Sequence, residues 1–137
     1  MKIRELEKVP SDRIGRVDKK DANPKPHEES TAVHLAQFGF DIEFVKPTNT
    51  YKAKSADAFI MGSIWEMKAP TTFNKATIKE DFRRAKDQSD RIIFDLRRVK
   101  KHADDVGKQI IAIFKGKGRV RKLIIIEKNG KVFDFSK

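Results

Sequence analysis

The stretch Ser55-Ala56-Asp57-Ala58-Phe59-Ile60-Met61-Gly62-Ser63-Ile64-Trp65-Glu66-Met67-Lys68 reads as two apolar strands joined at Met61-Gly62. Glycine there supplies the positive φ that a two-residue hairpin turn needs. The turn fixes the register by counting outward: Ile60 faces Ser63, Phe59 faces Ile64, Ala58 faces Trp65, and Asp57 faces Glu66. Directly opposed residues hold their Cβ atoms about 5 Å apart, so two carboxylates share one face. Side chains alternate along a strand, which brings Lys68 to the same face about 7 Å beyond Glu66 and turns Trp65 and Met67 away. Opposed like charges destabilise a sheet unless something binds between them, and a divalent cation is the expected occupant. The plainer alternative is an exposed strand face on which Lys68 pairs with a carboxylate.

Outward from the hairpin, Glu28, Ala32, Leu35 and Gly39 keep helical spacing over 28–38, with Pro26 ahead and Gly39 as the C-terminal stop. Residues 40–45 alternate apolar and acidic and read as a strand ending before Pro47. Pro70 stops the second hairpin strand, and Ile78, Phe82 and Ala85 then define a basic amphipathic helix over 75–88. Arg91–Leu96 is a buried-strand run, 101–114 a further helix, and 120–127 a strand that returns through Asn129-Gly130 into 131–135. The expected fold is α/β, a mixed central β-sheet flanked by helices. Residues 1–27 carry scattered charge, Pro10, Pro24 and Pro26, and no apolar period. They read as a polar, partly ordered leader ahead of a single domain over 28–137.

A length of 137 residues suits one domain with a core, and 38% hydrophobic against 37% charged residues is polar but globular. Without cysteine there is neither a disulfide framework nor a thiolate zinc site. No apolar run reaches membrane-spanning length, so no membrane partner is expected. The formal charge of +11 favours a polyanionic partner. Between Arg97 and Lys122 ten cations face only Asp104 and Asp105. Lys75, Lys79 and Arg83 on the basic helix, with Arg97, Arg98 and Lys101, are the expected nucleic-acid contacts, against the alternative of a solvated face that maintains solubility. His27, His34 and His102 show no zinc or acid/base spacing and read as structural. Tyr51 and Phe73, in loops beside the hairpin, offer base stacking, and Thr71 and Thr72 phosphate bonding or ordinary turn chemistry.

The order helix with Glu, strand, Asp strand, Glu-x-Lys strand, helix resembles the core of the PD-(D/E)XK nuclease superfamily. Within it, His27-Glu28-Glu29, Thr31-Ala32, Leu35-Ala36, Gly39, Ser55-Ala56-Asp57-Ala58, Gly62 and Trp65-Glu66-Met67-Lys68-Ala69-Pro70 resemble the C-terminal toxin domains of contact-dependent growth-inhibition proteins. The likeness spans roughly residues 27 to 96 and departs at Ala56, where the superfamily name expects proline. It implies that Asp57, Glu66 and the main-chain carbonyl of Met67 bind Mg²⁺ or Mn²⁺, hard cations suited to oxygen ligands. Lys68 then sits by the attacking water and the scissile phosphate. An acid from the first helix completes such a site, Glu28 in preference to Glu29, although either carboxylate also complements a helix start. The resemblance further implies a bacterial toxin that cleaves RNA, tRNA before others, and is held inactive by a cognate immunity protein. Such a domain is part of a larger surface-delivered protein and acts in the target-cell cytoplasm. Two alternatives stand beside it: a DNA-cleaving enzyme on the same core, and a non-catalytic basic nucleic-acid-binding module.

Overall fold

The computed structural model describes residues 1–46, 57–116 and 118–137. In chain order it contains β1 (Lys2–Leu6), β2 (Val17–Asp18), α1 (Pro26–Ala36), β3 (Ile42–Val45), β4 (Asp57–Ile60) and β5 (Ser63–Lys68). There follow α2 (Lys75–Gln88), β6 (Arg91–Asp95), α3 (Ala103–Lys115), β7 (Lys122–Ile126) and β8 (Val132–Ser136). From α1 onward the order is the one read from the sequence, a mixed α/β arrangement. Tyr51 and the strand residues before Asp57 lie outside the described residues. The chain groups into two units, one over Glu7–Trp65 and one over Met1–Leu6 with Glu66–Lys137. Strand β5 runs through the junction: Ser63–Trp65 pair with β4, and Glu66–Lys68 pair with β6.

In the 7–65 unit, β2 runs parallel to β3, and β3, β4 and the start of β5 are antiparallel neighbours. Ala32, Leu35 and Ala36 of α1 are buried, as are Ile42, Phe44, Ala58, Ile60 and Trp65. Proline at the first position of α1 forfeits no helical bond, because that N–H has no acceptor within the helix. The chain leaves the helix through Gly39 at φ 93°, a conformation glycine adopts without a Cβ penalty.

The stretch read as a leader is tied down here. Val9 N–H donates to the Gln37 carbonyl at 2.9 Å, Gly15 N–H to Ala36 at 2.8 Å, and Ile42 N–H to Arg16 at 2.8 Å. These are main-chain bonds to the exit of α1 and the start of β3, so they leave no trace in side-chain periodicity.

In the other unit the strand order is β1-β8-β7-β6-β5, with β5, β6 and β7 parallel and β7, β8 and β1 antiparallel. Ile78, Phe82 and Ala85 of α2 and Val106, Ile110 and Phe114 of α3 pack with Ile92, Phe94, Leu123 and Ile125 in one cluster. Phe82 stacks on Phe94 with centroids 6.0 Å apart. Ile93, Ile124 and Ile126, on the alternate face of these strands, are also buried, which is why β6 and β7 read as unbroken apolar runs. The Asn129-Gly130 hairpin closes one residue wider than the two-residue turn that the dipeptide favours. Glu127 N–H meets the Lys131 carbonyl, Gly130 N–H returns to Glu127, and Gly130 takes φ 91°. This is a three-residue loop with glycine in the left-handed position.

Candidate active site

The hairpin turn is built as the sequence requires. Met61 has φ 50° and Gly62 φ 82°, so both central residues are left-handed, the mirror-image turn whose twist matches the flanking strands. The observed pairs are Ala58 with Trp65, Phe59 with Ile64 and Ile60 with Ser63, the register counted from Met61-Gly62. Asp57 opens β4, its backbone opposite Val45 of β3. Its side chain lies outside the described residues.

Also in this unit, Glu28 is buried at 6% exposure and its carboxylate accepts the Lys25 main-chain N–H at 2.7 Å. That bond satisfies an N–H ahead of the first turn of α1, so the acid has a helix-start role in hand. Glu29 points elsewhere, to Lys19 at 3.4 Å, and its side chain is 41% exposed. Burial and a fixed orientation therefore distinguish Glu28 from Glu29. His34 lies against Phe38, 5.3 Å between ring centroids.

In the other unit, Glu66 and Lys68 share a face of β5, with Glu66 Oε1 3.9 Å from Lys68 Nζ. The side chains are 18% and 27% exposed, reachable but partly shielded from water. Their β6 partners are Ile92 and Phe94, with Met67 beside Ile93. Ile92 and Phe94 face α2, so Glu66 and Lys68 emerge on the side of the sheet where α2 packs. Half-buried Asp81 on α2 precedes Phe82, whose ring stacks on Phe94. Burial raises the Asp81 carboxyl above the usual range, while the charge of Lys68 pulls it back. An ammonium set among carboxylates is oriented by them, which suits it to a phosphate oxygen or a nucleophilic water. Among the described residues no group of three His, Asp or Glu is gathered as a metal centre. The donors themselves fit a hard divalent ion: carboxylate and carbonyl oxygens with no thiol.

A family profile described as "Contact-dependent growth inhibition CdiA C-terminal domain" matches residues 54–132, more than half of the chain, including Asp57, Glu66 and Lys68. The chain belongs to that family. Among solved structures it is similar to a "CdiA-CT/CdiI toxin and immunity complex from Burkholderia pseudomallei", at 20% identity and a TM-score of 0.66, covering 90% of this chain and 100% of the other. That likeness is one of fold. No curated protein matches. The chain is thus a CdiA C-terminal domain, a contact-dependent growth-inhibition toxin domain and part of a larger delivered protein. No helix among its described residues is long and apolar enough to cross a membrane.

The cations of this CdiA domain divide into two groups. Arg97 donates to buried Asp95 from its main chain at 3.1 Å, from Nε at 3.0 Å and from Nη2 at 2.7 Å. Arg83 is held by Glu80 at 2.9 Å and Asp87 at 3.3 Å. Both arginines therefore have structural commitments that the sequence reading did not foresee. Lys75, Lys79, Arg98 and Lys101 are exposed, and among the described residues none pairs with a carboxylate. Asp81 is the residue that sequence reasoning missed; its signal was an acid adjoining the apolar stripe of an otherwise basic helix.

Proposed function

We propose that this CdiA C-terminal domain is a metal-dependent endonuclease of the PD-(D/E)XK type, with RNA as substrate and tRNA favoured. The observation that carries the reading is the Glu66–Lys68 pair, partly shielded on one face of β5 at 3.9 Å. The hairpin ahead of Glu66 pairs Ala58 with Trp65, which supports the counted register. Asp57, Glu66 and the Met67 carbonyl would hold Mg²⁺ or Mn²⁺. The ion, when bound, supplies Lewis-acid polarisation of a phosphoryl oxygen and a more acidic water.

The chain's own groups do the rest. Lys68 Nζ orients the attacking water and offsets charge that develops on the phosphate, and Asp81 lies within its electrostatic reach. Glu28, fixed by its bond from Lys25, is the helix carboxylate of the set. Lys75, Lys79, Arg98 and Lys101 hold the backbone phosphates by salt-dependent contacts. The similarity to a toxin and immunity complex supports a cognate immunity protein that blocks this activity, and the target-cell cytoplasm is where an RNA-cleaving toxin meets its substrate.

Total tRNA, ribosomal RNA and duplex DNA incubated with protein and Mg²⁺, resolved on gels, test the proposal. Discrete tRNA fragments suppressed by the cognate immunity protein are expected. DNA nicking would move the substrate to DNA, and intact substrates with salt-dependent binding would leave a non-catalytic module.

A further inference from the structure

Away from Glu66 and Lys68, a cavity of about 350 Å³ opens between α2, the end of α3 and the Gly118–Val120 stretch. That volume is within the range of small-ligand pockets. Its floor is apolar: Phe82 and Phe114 are nearly closed off, and Ile113 is half-buried. Its rim is cationic. Lys79 and Lys86 stand on α2 and Arg119 on the opposite wall, and none of the three is paired with a carboxylate among the described residues. The one acid in the lining, Glu80, is already engaged by Arg83 and Arg84 at 2.9 and 3.1 Å, so its charge does not oppose an incoming anion. Lys137 adds a further cation, its ammonium 5.0 Å from the Phe114 ring centre and bonded to the Gly116 carbonyl.

Cations alone would describe any basic surface. Cations ringed around an apolar floor select a ligand with a flat apolar body and attached anions. We infer that this pocket is a nucleotide subsite, in which one base of the substrate lies over Ile113 while its flanking phosphates meet Lys79, Lys86 and Arg119. The inference rests on the nuclease reading, and it locates a second anchoring point for the same nucleic acid. Apolar contact with Ile113 supplies sequence-tolerant affinity, and the rim supplies the salt-dependent part.

Methyl-labelled protein titrated with adenosine 5′-monophosphate, and separately with inorganic phosphate, reads the site by NMR. The Ile113 methyl signals are expected to move with the nucleotide and not with phosphate. In the Lys86→Ala/Arg119→Ala variant nucleotide affinity should fall about tenfold, and the salt slope of RNA binding should drop by about two. KM for RNA should rise with kcat retained. Unmoved Ile113 signals, equal shifts with phosphate alone, or shifts with an acidic peptide but not the nucleotide would each overturn the subsite. If Glu66→Ala cleaves RNA like the wild type while Ile113 still responds to the nucleotide, the catalytic reading fails and the pocket stands.

Discussion

Replacing Arg97 by alanine should unfold this domain more readily, and the size of the effect follows from what it leaves behind. Asp95 closes β6 at 3% exposure and receives the Arg97 guanidinium on both oxygens, at 3.0 to 3.2 Å from Nε and 2.7 Å from Nη2. Removing the arginine takes the guanidinium hydrogen bonds and their positive charge away from a carboxylate with little water to solvate it. Breaking such a buried pair costs roughly 3–5 kcal/mol, and because the Arg97 side chain is 27% exposed the lower end applies, about 3 kcal/mol. For a chain of this length that corresponds to a fall in Tm of roughly 10 °C.

Urea and thermal unfolding of Arg97→Ala, Asp95→Asn and the double variant measure it. The double variant should lose much less than the sum of the singles, because the amide that replaces the Asp95 carboxylate carries no charge to strand. Arg98→Ala, at an exposed position with no carboxylate partner among the described residues, should unfold like the wild type within about 0.5 kcal/mol. The reasoning is refuted if Arg97→Ala is as neutral as Arg98→Ala, or if it weakens RNA binding with stability unchanged.

Three further outcomes are expected. Met61→Asn should stabilise the protein by about 0.5–1 kcal/mol in denaturant titrations, since Met61 holds φ 50° at 73% exposure in a turn that favours Asn-Gly. Gly15→Ala should cost about 3 kcal/mol by the same measure, because its Cβ would lie 1.8 Å from the Phe40 carbonyl oxygen and main chain must move to admit it. Hydrogen bonds from Arg83 and Arg84 lower the Glu80 carboxyl to about 2, so its contribution to stability is complete above the ordinary value of 4.5 and is lost as pH falls toward 2. Glu80→Gln should flatten the stability profile in that window, as pH-dependent urea unfolding would read.

What was legible in the sequence was whatever a side-chain period or a turn dipeptide dictates. Met61-Gly62 leaves one register for a two-residue loop, and Ala58 duly pairs with Trp65. Helix α2 occupies the residues its Ile78, Phe82 and Ala85 stripe marks out, aided by Asn74, whose side chain accepts the Thr77 N–H at 3.0 Å. What escaped notice is held by main chain or by distant partners. Strand β1, Lys-Ile-Arg-Glu-Leu, is a charged edge strand recognisable only beside β8, at the far end of the sequence, and charges of this kind protect edges from further pairing.

The geometry of the candidate site was legible to a similar depth. Glu66 and Lys68 stood out as charges inside an apolar strand, and the structure places them side by side on one face. Charge counting could not separate Arg98, which has no carboxylate partner among the described residues, from Arg97, two positions beyond a buried acid. Nor could it single out Asp81, whose interest comes from packing next to Phe82 rather than from any motif.

The most direct test of metal-dependent hydrolysis at this strand is tRNA cleavage by wild-type protein and Glu66→Ala, with Mg²⁺ or EDTA, alongside tRNA affinity in each case. The account predicts Mg²⁺-dependent fragments from the wild type alone, with Glu66→Ala binding tRNA as tightly or more so. Cleavage that persists in EDTA or in Glu66→Ala would contradict it.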